Sequence, residues 1–191
     1  MDARVVVLLS GAIAAGKSSI ASALVNDHCY LTIRSGSHLR TLAVLGGFDE
    51  SRRGLQELGD RLDRETDYSW IIDDVAAPLI DGQETQRRWL LDCARKRRQV
   101  EHFRRRYPGQ VFHVHLMAPE EELRRRYTER LAQGGEYLGG TPYDVAVQHP
   151  NELEARALAS IADLVSNTQR VGSVERLLEA LATFVLQSSS R

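Results

Sequence analysis

The stretch Gly11-Ala-Ile-Ala-Ala-Gly-Lys-Ser18 constrains this chain more than any other. It follows the apolar run Val5-Val-Val-Leu-Leu9 and precedes Ser19-Ile-Ala-Ser-Ala-Leu24, a segment of helical character. The pattern G-x-x-x-x-G-K-S between a strand and a helix turns successive backbone N–H groups, and the positive end of the helix, toward one anion. Gly11 and Gly16 permit conformations and a closeness of approach that a Cβ obstructs. Lys17 is placed to reach the β and γ phosphates of a nucleoside triphosphate, and the Ser18 hydroxyl to coordinate Mg²⁺. Gly11, Ala12, Ile13, Ala14, Ala15, Gly16, Lys17, Ser18 and Ser19 are thereby assigned to ATP. The motif does not name the acceptor of a phosphoryl group, and water, a protein, a nucleotide and a small metabolite are all compatible with it.

A chain of 191 residues can bury one sizeable core, and its composition asks for no second domain. Acidic and basic residues nearly cancel, 26 against 25, so no overall field draws the protein to nucleic acid or an anionic membrane. Cys29 and Cys93 are too few for a disulfide framework or a zinc site, which suits a reducing compartment. No apolar stretch approaches ~20 residues and the amino terminus lacks a signal-peptide pattern. The expectation is a soluble, cytoplasmic monomer or homodimer with small-molecule nucleotide partners and neither nucleic acid nor membrane among them.

Val5 to Leu9, Trp89 to Leu91 and Val111 to Met117 read as buried strands, with shorter ones at Leu31 to Ile33 and Leu164 to Ser166. Helices are predicted from about Glu50 to Glu65, where Leu55, Leu58 and Leu62 form a stripe, and from Arg95 to Tyr107. Another begins at Pro119, is favoured by Glu120 to Glu122 at its positive end, and stops at Gly134-Gly135. Alternating strands and helices predict an α/β protein of three layers, a parallel sheet of about five strands between helices. The segment Gln133 to Pro150, dense in Gly and Pro, reads as a mobile loop, and the tail from Gln187 to Arg191 as frayed.

Several further segments resemble, in the same order, parts of the adenylate-kinase-like P-loop nucleoside monophosphate kinases. "IRSGSHLR", Ile33 to Arg40, is similar to the strand and helix bearing a phosphate-binding arginine, which places Ser35 and Arg40 at the acceptor, with Ser37 where the family commonly has Asp. "LLDCARKRRQV" looks like the strand end where an aspartate precedes an arginine for the acceptor phosphate and a glutamine for its base; Asp92, Arg95 and Gln99 match. Arg95 and Gln99 would share a helix face. The shortened spacing from Asp92 to Arg95, and Cys93 in place of a glycine, resemble the phage and bacterial deoxynucleoside monophosphate kinases. So does "SRRGLQELGDRLD", which brings Arg52, or Arg53 in another register, and Gln56 to the acceptor. "EELRRRYTERL" is similar to the helix leading into the lid, with Arg126 and Arg130 facing the triphosphate, and "ADLVSN" to the last strand. The resemblance implies a helical acceptor-binding region over 34–85 and a short lid over 134–149. It also implies catalysis by Lys17, Arg126, Arg130 and Asp92, and Mg²⁺ held by Ser18 and, through water, Asp92.

Bland readings stand beside these. Most residues of the runs Arg95 to Arg98, Arg104 to Arg106 and Arg124 to Arg126 are expected on solvated helix faces, because a triplet spans too wide an arc to enter one cleft. His113 and His115 fall on one face of a strand, where packing or hydrogen bonding suits them better than catalysis. Tyr68 and Trp70 fit the core or a cover over the acceptor. Asp92 could cap a helix. The leading expectation is γ-phosphoryl transfer from ATP to a nucleoside or deoxynucleoside monophosphate, a modified pyrimidine nucleotide included. The alternatives are a kinase for another small metabolite such as dephospho-coenzyme A, with Asp92 as base, and an ATP-dependent switch protein.

Overall fold

A computed structural model describes residues 4–133, 141–170 and 172–189. Five parallel strands form one sheet in the order β2-β3-β1-β4-β5, with β1 Val5–Gly11, β2 Leu31–Thr32, β3 Arg88–Leu91, β4 Val111–Met117 and β5 Leu164–Asn167. β1 lies at the centre, paired with β3 on one side and β4 on the other. All five fall where the apolar runs predict, and the three-layer α/β architecture is observed. A strand between two others has both faces covered, so its residues are apolar without interruption rather than alternating. β1 is apolar throughout Val5 to Leu9, and every residue of Val5–Gly11 is buried.

Alternation along β1 divides the interior in two. Val5, Val7 and Leu9 face a core with Leu24, Tyr127, Tyr143, Leu177 and Leu181. Val6 and Leu8 face a second core with Ile33, Trp70, Ile80, Phe103 and Leu158. The first is covered by α1 Lys17–His28, α6 Glu120–Ala132, α7 Tyr143–Ala146 and α9 Ser173–Ser189. The second takes α5 Arg97–Arg106 and the π-helical turn Ile71–Ala76. Between β2 and β3 the chain runs through α2 Ser35–Gly46, α3 Arg52–Glu65, that turn and α4 Ala77–Asp81, all helical across the span assigned to an acceptor-binding insert.

Three expectations need correction. Arg95 and Gln99 do not share a helix face, because α5 begins at Arg97 and the Gln99 side-chain oxygen turns back to accept from the Arg95 and Lys96 N–H groups at 3.0 and 3.2 Å. Those orphan donors at a helix start demand an acceptor, and Gln99 supplies it. The segment 134–149 is not loop throughout: Tyr143–Ala146 is helical, and its buried Tyr143 stacks edge-on against Tyr127 at 5.3 Å, while 134–140 lie outside the described residues. The tail is helical through Ser189 rather than frayed from Gln187, because Phe184 and Val185 carry α9 along the first core; 190–191 lie outside the described residues.

Candidate functional site

The end of β1, the loop after it and the start of α1 build the floor of a cavity of about 520 Å³. Gly11 has φ 140°, and a Cβ there would stand 2.2 Å from the Leu116 carbonyl oxygen of β4; the loop can leave the sheet at this point because the residue has no side chain. Gly16 begins α1 at φ 89°. Lys17 folds over the loop, its Nζ donating to Gly11 O at 2.6 Å and Ala12 O at 2.9 Å. Burial lowers its ammonium pKa to about 8; nearby Glu152 partly offsets this and Arg95 adds to it. Gly11, Ile13 to Ser18 line the cavity, whereas Ala12 is buried beneath it and Ser19 is exposed elsewhere on α1.

The opposite wall comes from distant segments. Ser35 starts α2, Gln56 and Asp63 lie on α3, Trp70 and Ile71 open the π-helical turn, and Asp92, Arg95 and Gln99 follow β3. Of the residues assigned to the acceptor, Ser35, Gln56, Arg95 and Gln99 thus meet the phosphate loop in one cavity. Arg40 does not line it and is exposed on α2. The Arg52 side chain lies outside the described residues; Arg53 is exposed and paired with Glu57 at 2.8 Å. Arg130 lines the cavity. Arg126 does not: it pairs with Glu122 at 2.6 Å and donates to Thr168 Oγ1 at 2.9 Å beside Gly16. The pair with Glu122 and the bond to Thr168 hold it beside the phosphate loop at Gly16.

Asp92 sits where β3 ends, next to the phosphate-loop strand, and among the charges acting on Lys17. It caps no helix; Lys96 occupies the N-cap position of α5, and the Gln99 side-chain oxygen accepts its N–H. Ser18 and Asp92 line the same cavity, a hydroxyl and a carboxylate of the kind Mg²⁺ accepts. Among the described residues no group of three or more His, Cys, Asp or Glu side chains is placed to hold a metal ion.

Asp63 and Glu152, which the sequence reading did not single out, belong here with Trp70 and Cys93, which it did. Asp63 accepts from the Trp70 indole N–H at 2.7 Å, and burial raises its carboxyl pKa despite that bond and the charge of Lys96. Trp70, buried, stacks on His38 with ring centres 5.9 Å apart. Glu152, on α8 Pro150–Ala157, lines the cavity and accepts from the Ile13 N–H at 2.8 Å. The signal for α8 was present: Pro150 occupies the first helical position, where proline is favoured. Cys93 lies against Ser35 at 4.0 Å, and burial pushes its thiol up to about 11.

No protein-family model and no curated protein sequence matches the chain. Solved structures do. A sugar kinase from a Janibacter species superposes with a TM-score of 0.54 at 17% identity, covering 94% of this chain and 95% of that one. Shikimate kinase from Bacteroides thetaiotaomicron gives 0.52 at 17% identity, with 93% and 98% covered. The chain shares the fold of these kinases. The APS kinase of Mycobacterium tuberculosis, solved with AMPPNP and APS, gives 0.51 at 18% identity, with 95% and 99% covered. In each case both chains are covered nearly end to end.

Proposed function

We propose that the protein is an ATP-dependent phosphotransferase whose acceptor is a nucleoside or deoxynucleoside monophosphate. One observation carries the reading: Ser35, Gln56, Arg95 and Gln99, from three separate stretches of chain, share the cavity of the phosphate loop. Phosphoryl transfer asks the protein for two reactants in line, water kept out, and charge on the equatorial oxygens neutralised. Lys17 would turn from the Gly11 and Ala12 carbonyls to the β and γ phosphates, with Arg130 as a second cation on the cavity wall. Arg95 would hold the acceptor phosphate. The Gln99 oxygen is committed to capping α5, so its amide N–H₂ is the end offered to a base. Ser18 and Asp92 would hold hydrated Mg²⁺, which supplies charge neutralisation across the phosphates. An acceptor phosphate is anionic near neutral pH and needs no general base.

A second reading has its own observation. Asp60, Asp63, Asp92 and Glu152 line the same cavity, and carboxylates suit a hydroxyl acceptor, whose proton Asp92 would take. A panel separates the two: ADP production with ATP and Mg²⁺ is measured across ribo- and deoxynucleoside monophosphates, phosphate-free hydroxylated metabolites, dephospho-coenzyme A and an acceptor-free control. Stimulation by a nucleoside monophosphate is expected. If none exceeds the acceptor-free rate, the nucleotide acceptor is wrong, and stimulation by a hydroxylated compound would install the second reading.

A further inference from the structure

Ala14 carries the phosphate loop through a left-handed turn at φ 61°. That conformation sets Cβ against the following carbonyl, and residues other than Gly, Asn and Asp adopt it rarely. Such a residue persists where its surroundings over-determine it, and here both of its neighbours are tied to chain outside the loop. On the near side the Ile13 N–H donates to Glu152 Oε1 at 2.8 Å. On the far side the Ala15 carbonyl accepts from Thr168 Oγ1 at 2.9 Å. Glu152 is fixed in turn. Its side chain is 13% exposed, it accepts from Arg156 Nε at 3.1 Å, and Arg156 reaches on to Glu120 at 2.9 Å.

We propose that Glu152 is a positioning residue for the nucleotide. Its carboxylate oxygen holds the Ile13 amide and keeps the Ala14 turn formed before ATP arrives, so binding does not have to order the loop. The role depends on reach: Oε1 must span from α8 to the loop backbone. Its negative charge near Lys17 is a separate effect, one that would act on the ammonium rather than on the loop. The inference rests on ATP binding at this loop and holds whichever acceptor is used.

Reach and charge separate by substitution. Glu152→Gln keeps the length and the acceptor oxygen while removing the charge; Glu152→Asp keeps the charge and shortens the arm; Glu152→Ala removes both. The Kd for Mg·ATP is measured by titration calorimetry on the full chain, with thermal unfolding of each variant alongside. Glu152→Asp and Glu152→Ala should weaken ATP binding at least about tenfold, the scale of a lost charge-assisted hydrogen bond, and Glu152→Gln should recover most of that loss. If Glu152→Ala does not fold, the order of Gln above Asp decides. Asp binding better than Gln would make charge the operative property and overturn the proposal, and so would three variants that bind like the parent. A parent protein that binds no ATP would instead sink the nucleotide reading itself.

Discussion

Lys17 is paid for in solvation: its ammonium is buried against backbone carbonyls with a pKa lowered to about 8. Below that pH the free protein already carries the cation a triphosphate needs. Above it, binding must take up a proton, because phosphate beside the ammonium favours the charged form. ATP affinity is therefore expected to be flat below about pH 8 and to fall by up to about tenfold per pH unit above it. Calorimetry from pH 6.5 to 9.5 checks this, and an affinity unchanged across pH 8 would contradict it. Arg95 is among the cations that line the same cavity. Arg95→Ala should lower kcat/KM for the acceptor by at least about tenfold, the loss of one charge-assisted contact, while the Kd for ATP stays near that of the parent. Equal loss for donor and acceptor would remove Arg95 from the acceptor half.

At the scale of elements, the arginine runs lie on solvated faces as read, and several of their members also pair across to other segments. On α5, Arg98 pairs with Asp67, Arg104 with Asp163 at 3.0 Å and Arg106 with Asp81 at 2.7 Å, tying the helix to three remote segments. On α6, Arg124 meets Asp144 across 2.8 Å. Spacing along one helix shows the exposed face but not the partners that folding brings to it. The strand histidines were legible: His113 and His115 alternate to the same face, and there both bond the buried Ser10 hydroxyl, at 2.8 and 2.9 Å. Burial lowers each imidazole to about pKa 4. The unfolded chain then binds protons that the native state refuses as pH falls below about 6.5, so stability is lost between about 6.5 and 4. His115→Gln removes one such group while keeping a hydrogen-bonding side chain. Its urea-derived stability should drop less from pH 7 to 5 than the parent's, by roughly 2 kcal/mol; equal drops would mean that His115 titrates alike in both states.

The molecule as a whole unites the helical insert with the sheet through the second core. Trp70, Ile71, Ile72 and Val75 of the insert pack with Trp89 of β3 and Phe103 of α5. Insert and sheet should therefore melt together. In Trp89→Phe only Trp70 reports, and in Trp70→Phe only Trp89; each variant's fluorescence midpoint should coincide with its own circular-dichroism midpoint. An earlier fluorescence transition in Trp89→Phe would show the insert unfolding by itself. Among the described residues no helix is long and apolar enough to cross a membrane.

What was legible in the chain was local. The five strands, the helices α3, α5 and α6, and the phosphate loop followed from apolar runs, turn residues and one motif, because each is decided by neighbours in sequence. Strand order around β1, the cap that takes the Gln99 oxygen, the place of Arg126 beside Thr168 and the grip of Glu152 on Ile13 were decided by tertiary structure alone. Each joins groups far apart in the chain, as Ile13 and Glu152 are, and a hydrogen bond between such groups leaves no periodicity for a sequence to display.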